Sequence, residues 1–93
     1  MKRPLLRSSA FVRAAHKFVK KYPHNAIDFQ SALELLEVDA FHPRLRTHKL
    51  KGELKDSWAC AAGYDLRIVF RFVPYQGSEA ILLESVGTHD EVY

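Results

Sequence analysis

The feature that most constrains this chain is a single change of hydrophobic period. Up to Ala40 the apolar residues recur every three or four positions, and from Trp58 onward they recur mainly at every second position. One such switch within 93 residues predicts a single small α+β domain spanning 1–93, with helices covering one face of a sheet. Nearly half of the residues (47%) are hydrophobic, which is enough for a core that needs no staples.

Residues 3–7 read as a short first strand, with Pro4 suited to a strand start or an edge. Ser8 or Ser9 offers a helix N-cap. Phe11, Ala14, Ala15, Phe18 and Tyr22 then form an apolar stripe, while Arg13, Lys17, Lys20 and Lys21 fill the other face. Pro23 stops this helix. Asn25 can cap a second one, whose stripe is Phe29, Leu33, Leu36 and Ala40. The two form an αα-hairpin. Residues 41–57, polar and basic with Pro43 and Gly52, read as an ordered loop. Residues 58–62 read as a strand and Gly63-Tyr64 as a turn. In residues 66–73, Ile68, Phe70 and Phe72 point one way and Arg67, Val69 and Arg71 the other. Residues 74–78 read as a loop, 80–86 as a final strand ended by Gly87, and 88–93 as a tail. The predicted order is β-αα-βββ: a mostly antiparallel sheet, the αα-hairpin packed on one face, and an open face carrying Arg67 and Arg71.

Charge is distributed in blocks. Residues 1–21 hold seven Lys/Arg and no acid, and residues 42–71 hold seven Lys/Arg against three acids. The segments 22–41 and 72–93 each hold four acids and no Lys/Arg. The basic middle, with His42 and His48, suits phosphate, although such charges are equally at home on a solvated surface. The lone Cys60 cannot form an internal disulfide, and no export signal or membrane span is evident. A reducing cytoplasm without membrane contact is therefore the expected setting. Scattered histidines, the absence of a cysteine pair and the lack of a glycine-rich phosphate loop argue against a metal site or other cofactor.

An open face that binds RNA needs little else to cut it. A base takes the ribose 2′-hydroxyl proton, an acid protonates the leaving 5′-oxygen, and a cation steadies the phosphate. Histidine suits the first two roles and arginine the third. The candidates are His48 in the basic loop, His89 past the last strand, Asp65 and Arg67 at the start of the central strand, and Tyr93, which can stack on a base. Arg46, Lys49, Lys51, Lys55 and Arg71 are the candidate RNA contacts. Plainer readings stand beside these. Both histidines can be simple surface residues, Asp65 a turn acceptor, Arg67 a partner of Asp65 or Glu84, and Tyr93 a frayed end. Trp58 reads as core or rim packing, Cys60 as core, and His16 and His24 as structural or solvated.

The run from His42 to Trp58, the run Gly63-Tyr-Asp65-Leu-Arg67-Ile-Val-Phe70, and the closing Gly87-Thr-His89-Asp-Glu-Val-Tyr93 together resemble the YafQ-like branch of the RelE/ParE toxin superfamily. The resemblance implies a small sheet with an αα-hairpin. It implies a ribosome-dependent endoribonuclease that cleaves mRNA in the A site without metal, by 2′-hydroxyl attack. It also implies a cognate antitoxin that silences the toxin, with promoter DNA bound only through that complex. His48, Asp65 and His89 fall on active-site positions of such toxins, Arg67 on a phosphate-steadying arginine, and Tyr93 on a terminal aromatic that places the nucleotide. Ala61 stands where the YafQ pattern has a further histidine, and Trp58 and Cys60 stand near the places of RelE lysines; Lys51 or Lys55 are candidate substitutes. Two alternatives accompany this reading: a non-catalytic gyrase inhibitor of the ParE kind, and a degenerate member that serves as an antitoxin-binding regulator.

Overall fold

The computed structural model describes residues 2–52, 56–63 and 65–92, including all of their side chains except those of Asp90 and Glu91. The elements are β1 (Leu5–Arg7), α1 (Ser9–Lys21), α2 (Ala26–Val38), β2 (His48–Lys49), β3 (Trp58–Ala62), β4 (Leu66–Tyr75), β5 (Ser78–Thr88) and α3 (His89–Val92). The strands form one sheet in the order β1-β5-β4-β3-β2. Among the described residues, only the β1–β5 pair is parallel. The architecture is the predicted α+β one, with both long helices on one face of a mostly antiparallel sheet.

Ser8 begins α1 in two ways. Its Oγ accepts the Phe11 N–H (3.0 Å), and its hydroxyl donates to the Leu83 carbonyl (2.8 Å), which ties the helix start to β5. Lys20 and Lys21 close α1 where positive charge suits the exposed carbonyls. Asn25 precedes α2, but its side chain makes no capping bond. A single 3-10 turn over Pro23–Asn25 bridges the helices instead. Pro4 has no N–H to give, yet its carbonyl accepts from Ile81 (2.9 Å), so it sits comfortably beside the edge strand.

The core lies between the helices and the sheet. Phe11 and Phe18 of α1 meet Phe29 of α2 at ring separations of 6.1 Å. Beneath them lie Leu36, Cys60, Leu66, Ile68, Phe70, Ile81 and Leu83, all fully buried. Each such side chain contributes about 1.5–3 kcal/mol by leaving water.

Four local expectations are corrected. The segment 41–57 is not wholly a loop: it holds a 3-10 turn at Pro43–Leu45 and the two-residue strand β2. Two residues are too few for any period to register, and β2 exists through its pairing with β3 alone. The expected loop 74–78 tightens to a two-residue hairpin turn at Gln76 and Gly77, both at positive φ (49° and 75°), so β4 and β5 run longer on either side. Gly87 does not end the last strand but pairs with Arg67 within it. The tail begins with a helical turn, α3.

The register of β5 carries a further feature. Val69 pairs with Ser85 and Phe70 with Leu83, leaving Glu84 as an extra residue. This β-bulge keeps Ile81, Leu83 and Val86 all on the core face, although Leu83 and Val86 are three apart. It also turns two consecutive polar residues, Glu84 and Ser85, toward the open face. Among the described residues, no helix is long and apolar enough to cross a membrane.

Candidate active site

The strand registers define what shares the open face. One row runs His48, Ala59, Val69, Ser85; the next runs Ala61, Arg67, Gly87; and Arg71 lies opposite Leu82. Alternation along β4 therefore puts Arg67 and Arg71 where the sequence pattern expects them. Small residues flank Arg67 on both sides, so its guanidinium stands over a low floor. Its Nη1 donates to the Leu66 carbonyl at 3.0 Å, which folds the side chain back toward the start of β4.

Asp65 and His89 meet at that same end of the sheet. The His89 backbone N–H donates to Asp65 Oδ1 at 3.3 Å, so a carboxylate from the β3–β4 turn caps the first residue of α3. This contact fixes the backbone of the histidine beside the strand that carries Arg67. The turn itself depends on Gly63. Its φ is +71°, and a Cβ there would lie 2.7 Å from Asp28 Oδ2.

His48 sits elsewhere. Its Nδ1 lies 3.0 Å from the Arg46 carbonyl. A carbonyl only accepts, so Nδ1 is assigned as the donor. Three strand spacings of about 4.8 Å and four residues of about 3.3 Å separate His48 from His89 along the sheet, a backbone distance on the order of 20 Å. Asp65, Arg67 and His89 are thus brought together, and His48 lies at the opposite margin.

Among the candidate RNA contacts, Arg46 adopts a left-handed conformation (φ 50°) just before β2, and Lys51 is exposed after it. Lys49 is in register with Trp58 and so shares the helix-side face. Lys55 and Tyr93 lie outside the described residues. Arg71 is engaged in an ion pair: its Nε, shielded from solvent, lies 3.2 Å from Glu84 Oε2 without the alignment of a hydrogen bond. The other carboxylate oxygen, Oε1, accepts the hydroxyl of Ser57 at 2.7 Å. Ser57 is buried (2% exposed). Neither Ser57 nor Glu84 was a sequence-level candidate. The one available signal was the three-residue gap between Leu83 and Val86, which a regular strand does not accommodate.

Two other residues behave as the plainer sequence readings have them. Cys60 is fully buried on the core face, and burial pushes its thiol up to about 12, with the nearby Arg67 charge pulling the other way. Such a thiol is no nucleophile near neutrality. Trp58 packs edge-on against Phe41 and Phe72 at 5.5 Å, at the rim of the core. Among the described residues, no group of three or more His, Cys, Asp or Glu side chains is placed to hold a metal ion.

No protein-family model matches the sequence, and no curated protein matches it either. Solved structures do. YafQ from E. coli superposes with a TM-score of 0.78 at 14% identity, covering 99% of each chain. A YoeB/ParE toxin from Agrobacterium tumefaciens gives 0.73 at 12% identity, covering 92% of this chain and 98% of that one. The E. coli DinJ–YafQ toxin–antitoxin complex gives 0.76 at 15% identity, covering 100% of this chain and 99% of that one. With two helices on a mixed five-stranded sheet matched over its whole length, the chain has the fold of the RelE/YafQ-like toxins.

Proposed function

We propose that this protein is the toxin of a toxin–antitoxin pair and that it acts as a ribosome-dependent endoribonuclease in the cytoplasm. The observation that supports this most is the convergence of Asp65, Arg67 and His89 at one end of the open face. His89 is the proton-transfer group. Arg67 steadies the charge that builds on the scissile phosphate. Asp65 holds the His89 backbone in place. The 2′-oxygen attacks phosphorus as it loses its proton to a base, the P–O5′ bond breaks, and the leaving oxygen takes a proton from an acid. The products are a 2′,3′-cyclic phosphate and a 5′-hydroxyl, and no metal or cofactor is needed. Arg46, Lys51 and Lys55 supply further phosphate contacts, Lys49 and Arg71 lesser ones, and Tyr93 stacks on a base beside the cut. His48 assists from the far margin by contacting a neighbouring part of the message.

The partners in this reading are mRNA, the ribosomal A site and a cognate antitoxin. The last is supported by the E. coli complex of a similarly folded chain with its antitoxin. Promoter DNA is reached only through the antitoxin complex.

The test is primer extension on a reporter message in a cell-free translation reaction, with and without the protein. New 5′ ends within codons are expected, and only while ribosomes translate. Message ends that stay unchanged sink the nuclease reading. A second reading, a regulator that binds antitoxin without cutting, is favoured by Ala61 beside Arg67 and by the separation of His48 from His89. Harmless expression without the antitoxin is what that reading requires.

A further inference from the structure

We infer that Glu84 is a specificity-determining residue of the open face and that it reads guanine in a nucleotide flanking the cut; this rests on the ribonuclease reading above. A carboxylate is out of place on a face meant to attract phosphate, because it repels the backbone that its neighbours bind. Nor does its ion pair with Arg71 explain it by stability. Both side chains are partly exposed (41% and 28%), and pairs of this kind add little. Glu84 is nevertheless held there by two separate devices. The β-bulge turns it onto the open face, and bulges recur where a side chain must be re-aimed beside a site. The buried hydroxyl of Ser57, 27 positions away in sequence, then fixes Oε1 at 2.7 Å.

The carboxylate so held keeps acceptor capacity. It offers about four lone-pair sites. Ser57 uses one oxygen, and Arg71 approaches the other through Nε. Two parallel acceptors suit a partner with two adjacent N–H donors. Single-stranded RNA bases are read on their Watson–Crick edges. Among the four bases only guanine presents two adjacent donors there, N1–H and the N2 amine. Adenine and cytosine each place an acceptor beside their amine, and uracil has a single N–H between carbonyls. Glu84 lies in β5, five residues before His89 at the start of α3, about 16 Å along the chain. The base it reads is therefore near the cut but not at it.

The experiment uses the whole protein in the translating reaction described above, with messages that differ only in having guanine or another base beside each cut. The readout is the ratio of cutting at guanine-flanked sites to cutting at the rest. The parent protein is expected to favour guanine by about tenfold or more, the discrimination of one good bidentate contact. Glu84→Gln replaces one acceptor by a donor and is expected to erase that ratio. A message with inosine for guanine, which lacks the N2 amine, is expected to lower it with the unaltered protein, so the test does not depend on the variant folding. A parent ratio near one overturns the inference while leaving the nuclease reading intact. So does a Glu84→Gln variant that changes cutting at all sites by the same factor, which would mark a bare charge effect. No new ends at any site would overturn the nuclease reading and this inference with it.

Discussion

The two faces of the β4–β5 hairpin are made by the same strands and obey different rules. On the helix side, Ile68, Phe70, Ile81 and Leu83 are fully buried and packed against α1 and α2. On the open side, the same strands present Arg67, Arg71, Glu84 and Ser85, and Glu84 is held by polar contacts to Ser57 and Arg71, both distant in sequence. The first face determines whether the chain folds, and the second what the folded chain can bind. Substitutions on the two faces are therefore expected to separate cleanly, affecting stability on one side and chemistry on the other.

The largest expected effect tests the open side and its margin. His89→Ala and Arg67→Ala are each expected to slow message cleavage by about 10²–10⁴-fold, the usual worth of an acid–base or charge-stabilising group. Because His89 is exposed, its replacement should move stability by no more than about 0.5 kcal/mol. Cleavage at the parental rate by both variants would break the assignment of the site. The mirror-image test is Phe70→Ala. It should lower unfolding free energy by about 3–5 kcal/mol in a denaturant titration, whatever it does to activity. A loss below about 1 kcal/mol would mean that the buried face is not the stabilising one.

Cys60 sharpens the contrast through pH. Its thiol titrates near 12 in the folded protein against 9.0 for the ordinary group. Between those values the unfolded chain has released the proton and the folded chain still holds it, so the stability contribution present below pH 9 is lost as pH rises. Over pH 9–10.5 the parent should lose up to about 1.4 kcal/mol per pH unit more than Cys60→Ala, one thiol's share of the proton linkage. Parallel pH profiles for the two proteins would place the thiol in a wetter environment than the core. The smallest effect concerns the link between helix and sheet: Ser8→Ala should cost about 1 kcal/mol by removing the α1 cap.

Much of this contrast was legible in residue order. The stripes Phe11 to Tyr22 and Phe29 to Ala40 gave the helices, and alternation from Arg67 to Phe72 gave the two faces of β4. The candidate site was only partly legible. Arg67, Asp65 and His89 could be named from residue type and resemblance, but their meeting rests on a contact across 24 positions. Glu84 was missed although the three-residue gap between Leu83 and Val86 marks it, and Ser57 because nothing in its neighbourhood does. Strand β2 was missed because two residues show no period.

What the sequence by itself determined, then, is local: which segments are helix or strand, which side chains of β4 meet the core, and that Cys60 is buried. Periods of 3.6 and 2 are properties of neighbouring residues, and burial of apolar surface enforces them. What only the tertiary structure decided is register. It made β1 parallel to β5, inserted Glu84 as a bulge, drew Ser57 and Arg71 to that carboxylate, and set Asp65 on the His89 backbone. Those pairings depend on which hydrogen-bonding strand edges come together, and a shift of one residue would turn every side chain of a strand to the other face.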